Sequence, residues 1–156
     1  NININPNPND IKNYGWGVSS YGEHYGADEG TSEKYKKNPS LTTEIYKRAP
    51  LYKSHSFYGY EEPFKYFTPS IGITEILKVK SKDEESHKLL VASMGYNKEE
   101  GDLTLHVIEI DENLNEIKYD RIFTGERIRD IIDLGNGSIL MSLESTGSFG
   151  ILENIY

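Results

Sequence analysis

The sequence contains no cysteine. Disulfides, thiolate metal sites and cysteine nucleophiles are therefore excluded. No stretch stays apolar over the roughly eighteen residues that a membrane-crossing helix needs. Methionine (2) and tryptophan (1) are scarce, which disfavours a helical bundle packed on Leu, Ala and Met. Positive charge is also short. Against 25 Asp+Glu there are 17 Lys+Arg, a formal net charge of −8. A nucleic-acid surface needs a basic footprint, and this balance does not supply one over the whole protein, although it leaves room for a local basic pair. No initiating Met and no charged-then-apolar leader is visible. The opening NININPNPND reads as a start in the middle of an architecture.

What the chain has instead is tyrosine (12) and glycine (14) in 156 residues, enough for one domain of ordinary size. Tyr favours strands and Gly favours turns, so the fold class expected is all-β. Three zones differ. In residues 1–13, Pro6 and Pro8 remove backbone donors, which makes this a loop or an edge segment. Residues 14–70 are rich in Tyr, Gly, Ser, Lys and Glu with little periodicity, apart from room for a helical turn near Leu41–Arg48, bracketed by Pro39 and Pro50. Such a stretch suits excursions that line a binding face, or padding against a scaffold outside this chain. Residues 71–156 are a series of short apolar runs: Glu75–Lys80, Lys88–Met94, Leu103–Ile110, Glu116–Phe123, Ile128–Leu134, Ser138–Glu144 and Ser148–Ile155. Within the third, Leu103, Leu105 and Val107 share one face, and Thr104 and His106 the other. Asp111–Asn115 and Gly135–Asn136–Gly137 fall where hairpin turns belong. The spacing suits either an ordinary meander or propeller blades of four strands in roughly 40–50 residues.

Several constellations fail on inspection. Asp83–Glu85, Glu99–Glu100 and Asp111–Glu112 lie between runs and read as solvated turn tips. Asp111, Asn113 and Asn115 have the opening spacing of an EF-hand loop, but Glu116 and Ile122 stand where that loop needs Gly and Glu. His24, His55, His87 and His106 are scattered without metal-ligand spacing, so neither a catalytic histidine nor a metal set is assigned. Asn136–Gly137–Ser138 fits a glycosylation sequon, yet it is ordinary turn chemistry.

Arg127 and Arg129 stand out. Two residues apart at the start of a strand, they present both guanidiniums on one face. Parallel forks suit a multiply charged planar anion, because each can hold a carboxylate bidentately. The alternative is that they pair with Glu126 and Asp130 beside them. Thr68–Pro69–Ser70 places two hydroxyls around a rigid Pro ahead of a strand.

Three segments in order resemble the glucose/sorbosone dehydrogenase family. Asn13-Tyr14-Gly15-Trp16, followed by Ser20-Tyr21-Gly22, is similar to that family's N-Y-G-W-P and S-Y-G stretch. Tyr66-Phe67-Thr68-Pro69-Ser70-Ile71 is similar to its Y-W-T-P-S-I. Arg127-Ile128-Arg129-Asp130, a short turn and a new strand are similar to its R-I-R-D stretch, and Leu89–Ser93 lies between as a matching strand. The resemblance implies a partial six-bladed β-propeller over 1–156: mostly loops in 1–70 and about two C-terminal blades in 71–156. It implies a quinoprotein sugar dehydrogenase whose cofactor, pyrroloquinoline quinone (PQQ), is a flat tricarboxylate contacted by Arg127 and Arg129, with Ser70 at a hydroxyl position nearby and Thr68 at a cofactor position where some members place an aromatic residue. The substrate implied is a sugar or small alcohol, and the compartment periplasmic or secreted. Calcium and the general-base histidine belong to upstream segments of the family, and none of the four histidines here matches, so this chain alone is expected to be inactive. Gly17 replaces a Pro, Gly72–Glu75 replace A-P-S-G, and Gly95 stands where some members carry a cofactor-binding Lys. These departures keep open a non-catalytic propeller that binds carbohydrate or a protein partner. Open sheet edges predict a homo-oligomer, or the Tyr/Gly segment packed over the exposed face.

Overall fold

The computed structural model describes residues 1–15, 55–67, 70–81 and 85–155. The helical turn expected near Leu41–Arg48, the tryptophan motif from Trp16 onward, Thr68–Pro69 and Asp83–Glu84 lie outside the described residues. The chain divides into two compact units, Asn1–Ser70 and Ile71–Tyr156.

In the first unit, the N-terminal segment is tied along residues 60–65. Ile2 is buried and pairs with Lys65 in an antiparallel bridge, closed by Ile2 N–H to the Lys65 carbonyl at 2.7 Å. The Glu61 N–H reaches the Asn13 carbonyl at 2.9 Å. Gly15 sits at φ +67° with the Tyr60 ring so near that an added Cβ would lie 2.5 Å from it. Only glycine meets both conditions.

The second unit is all-β and antiparallel, as a partial propeller requires. It holds β1 (Ile73–Val79), β2 (Ser86–Ser93), β3 (Thr104–Asp111), β4 (Glu116–Phe123), β5 (Ile128–Asp133), β6 (Ile139–Leu143) and β7 (Ser148–Leu152). Consecutive strands pair, giving a four-stranded meander β1–β4 and a three-stranded meander β5–β7. Each expected run corresponds to one strand. The turns follow the expected chemistry too. The Asp111 carboxylate accepts the Asn115 N–H at 2.8 Å, and Asn136 accepts the Ser138 N–H at 3.1 Å.

One face of each sheet builds a shared core. Val79, Leu90, Ala92, Leu105 and Val107 from the first sheet meet Ile128, Ile131, Ile139 and Met141 from the second. Removing a Leu or Ile side chain from water contributes about 1.5–3 kcal/mol, so this layer is what sets β5 against β1 and β2. Lys88 closes one end. Its ammonium, 8% exposed, reaches the Ile155 carbonyl beyond β7 at 2.6 Å and Glu109 at 3.2 Å.

Two local departures from the expected pattern have physical causes. Leu103 does not begin β3 but adopts φ +55°, and its carbonyl accepts the Thr124 N–H (2.9 Å), the Thr124 hydroxyl (2.8 Å) and the Gly125 N–H (3.3 Å). Both faces of β3 are buried, not only the Leu105/Val107 face. His106 is 1% exposed, with Nε2 at 2.9 Å from the Gly101 carbonyl and Nδ1 at 2.6 Å from the Tyr119 hydroxyl. A carbonyl can only accept, so Nε2 carries the proton and Nδ1 accepts from tyrosine.

Candidate functional site: two arginines on one carboxylate

The strand β5 is bulged at its start. Ile128 pairs with Leu143 and Asp130 with Ser142, so Arg129 is an extra residue on its strand. A bulge re-aims the side chain it carries. Here it brings the Arg129 fork to the same target as Arg127, the carboxylate of Glu144 in the turn after β6. Arg129 holds it in two-pronged fashion, Nε to Oε2 at 2.7 Å and Nη2 to Oε1 at 2.9 Å, and Arg127 Nη1 reaches Oε1 at 3.0 Å. The two forks meet on one carboxylate, and Arg129 gets there through the bulge rather than by the strand alternation that the spacing implied. Their partner is neither Glu126 nor Asp130. The Glu126 carboxylate accepts the Thr146 N–H at 2.9 Å, and Asp130 accepts the N–H of Ile131 at 2.9 Å. Sequence neighbours lost to a residue 15–17 positions away because the β5–β6 hairpin folds Glu144 back beside the arginines.

The remaining donors are also directed. Arg127 Nε donates to the Met94 carbonyl at 2.5 Å, Nη1 to the Tyr96 hydroxyl at 2.6 Å, and the guanidinium lies 4.3 Å from the Tyr96 ring centroid. Arg129 Nη1 lies 3.0 Å from the Met94 sulfur. Tyr96 itself is exposed and supplies a flat apolar face. The Arg129 hydrogen bond, helped by the Arg127 charge and opposed by desolvation, holds the Glu144 carboxyl below the ordinary carboxylate range, and the same hydrogen bond raises Arg129 further.

Backbone contacts fix this cluster. The Glu144 N–H donates to the Arg127 carbonyl at 3.0 Å, and the Gly147 N–H to the Glu144 carbonyl at 3.3 Å. A second bulge, in β1 between Ile73 and Glu75, frees Thr74, whose hydroxyl lies 2.8 Å from the Ile128 carbonyl and so locates the start of β5. Thr74 and Glu144 are the positioning residues that strand periodicity missed. A bulge and a contact across a hairpin leave no period-two signal, although the Gly72–Glu75 departure marked the place.

Gly95 follows Met94 in the loop carrying Tyr96. A Cβ built at this position would overlap the carboxylate of Asp102. Asp102 is buried and accepts the Asn97 N–H at 2.9 Å, which shapes that loop. A lysine at position 95 is thus incompatible with Asp102 as it stands, and this wall of the site draws its charge from Arg127 and Arg129.

Of the other candidates, Ser70 is half-buried and is the last residue of the first unit, while both arginines belong to the second. Thr68 lies outside the described residues. Among the described residues no cluster of His, Asp or Glu could hold a metal ion, and no helix is long and apolar enough to cross a membrane.

The donor set can be tested against a polycarboxylate. A carboxylate, that of Glu144, already sits in the Arg129 fork through two bonds, so the fork suits this functional group. No curated protein and no solved structure matches this sequence. The profile of the family described as Glucose / Sorbosone dehydrogenase matches residues 2–151. On that match, which spans nearly the whole chain, the chain belongs to the glucose/sorbosone dehydrogenase family.

Proposed function

We propose that this chain forms part of the cofactor pocket of a quinone-dependent sugar dehydrogenase, with Arg127 and Arg129 holding carboxylates of PQQ. The observation that carries the reading is the Arg127–Glu144–Arg129 arrangement. Two guanidiniums a few ångströms apart, one already in a two-pronged carboxylate grip, match a flat tricarboxylate better than a neutral sugar. The Tyr96 ring beside Arg127 offers a planar cofactor a stacking surface. PQQ supplies an o-quinone that accepts the hydride from a sugar carbinol carbon. The residues of this chain bind and orient it. None of His24, His55, His87 or His106 matches the family's general-base position, so this chain alone binds cofactor without turning over sugar.

The test is an absorbance titration with PQQ and calcium. Arg127→Ala loses the fork and weakens binding roughly tenfold or more, as loss of a charge-assisted hydrogen bond does. Arg127→Lys, which keeps the charge without the fork, recovers only part. Equal affinities for the three proteins would refute the role. Absence of binding by the unmodified chain would favour a non-catalytic module for carbohydrate or protein.

A further inference from the structure

Most of the N–H donors of the arginine pair are already used within the protein. Arg127 spends Nε on the Met94 carbonyl and Nη1 on Tyr96 and Glu144, while Arg129 spends Nε and Nη2 on Glu144 and Nη1 on the Met94 sulfur. The Met94 carbonyl lies just past β2 on a backbone held by the Met94 N–H to the Gly72 carbonyl at 2.9 Å, and Tyr96 follows in the loop. The Glu144 side chain is different, since it is one-third exposed and hangs from a turn. It can leave for water while its backbone stays tied to Arg127.

We propose that Glu144 is a built-in competitor that sets the charge selectivity of the arginine pair, so that an anionic ligand enters by displacing its carboxylate from both forks. This deepens the reading of the pair as a PQQ site and rests on it for the identity of the natural ligand. The physical reasoning is charge counting. Two guanidiniums and one carboxylate leave a net single positive charge at the site. A ligand carboxylate replacing Glu144 exchanges like for like at the forks, so the gain is small unless the ligand brings further contacts. The released Glu144 then repels the ligand in proportion to ligand charge, and a polyanion feels this more than a monoanion. A weak, single-carboxylate metabolite cannot evict Glu144 on fork contacts alone. A flat tricarboxylate with a ring to set on Tyr96 can. Glu144 thereby lowers the affinity of the pair for every anion, and most for the most highly charged ones.

The experiment compares the full chain with Glu144→Gln, using PQQ, benzene-1,3,5-tricarboxylate and benzoate as probes at low and high salt. Glu144→Gln is close in shape and sits on the surface. Glu144→Ala is run beside it, and circular dichroism checks that both fold. The expected result is roughly tenfold tighter binding of the two tricarboxylates by both variants at low salt, a smaller gain for benzoate, and a difference that shrinks as salt rises. A purely structural role for Glu144 would weaken all three probes together, which overturns the proposal. Unchanged affinity in both variants overturns it too, and leaves the PQQ reading standing if PQQ still binds. Tighter benzene tricarboxylate with no PQQ binding by any protein supports the competitor role and overturns the quinone assignment. No binding of any probe by any protein overturns both.

Discussion

Replacing Lys88 with Met tests whether the two sheets are coupled at their end. The Lys88 ammonium is nearly enclosed, 8% exposed, and joins β2 to the segment beyond β7 through the Ile155 carbonyl at 2.6 Å. A hydrogen bond from a charged group contributes about 1.5–3 kcal/mol. Glu109, at 3.2 Å and 24% exposed, is partly screened and adds up to about 1 kcal/mol. Met keeps most of the stem and buries a thioether in its place, returning about 1 kcal/mol. The net loss for Lys88→Met is therefore about 2 kcal/mol, or about 4–8 °C in Tm. The assay is thermal and urea unfolding together with amide exchange at Ile155, whose N–H is bound to the Gly137 carbonyl at 3.0 Å. Exchange at Ile155 should accelerate well beyond that at Leu90 in the centre of β2. The double variant Lys88→Met/Glu109→Gln should recover part of the loss, since Glu109 no longer faces a missing cation. A Tm within 1–2 °C of the unmodified protein (under about 0.5 kcal/mol) with unchanged Ile155 protection would refute the coupling.

Two further expectations concern titration and the β3–β4 contact. Glu144 titrates below the ordinary carboxylate range because Arg129 hydrogen-bonds it, so its stabilising contribution is complete above the unfolded pKa and is lost as pH falls through the lowered folded value. A carbon-detected NMR titration should place it there, and Arg129→Ala should move it up; no movement would break the link. Tyr119→Phe removes the donor to His106 Nδ1 and should cost about 1 kcal/mol, with a shift of the Nδ1 resonance; an unchanged resonance would contradict the hydrogen bond between them.

The strands were legible because turn chemistry and apolar alternation agree in residues 71–156. Asp111–Asn115 and Gly135–Gly137 delimit hairpins by local hydrogen bonds that their own side chains make. The arginine pair was legible for the same local reason, as two forks two residues apart. Its partner was not. Glu144 is adjacent only after β5 and β6 pair, and Arg129 reaches it only through a bulge, which inserts a residue without altering composition. The burial of His106 was hidden likewise. Alternation places a residue on a face but does not say what covers that face.

The overlap between a Cβ at position 95 and the Asp102 carboxylate carries a consequence for mutational history. The two sites are epistatic. A side chain at 95 requires the Asp102 carboxylate to leave its present place, so a chain with a long basic side chain at 95 is expected to carry a smaller or differently placed residue at 102. Neither exchange is neutral alone, because losing Asp102 first releases the Asn97 N–H and with it the loop that presents Tyr96. Passage between a two-arginine pocket and one with an added lysine therefore favours a coupled pair of substitutions, since either one alone disturbs the loop that carries Tyr96. Relatives should fall into two discrete sequence classes at these positions, with few mixtures.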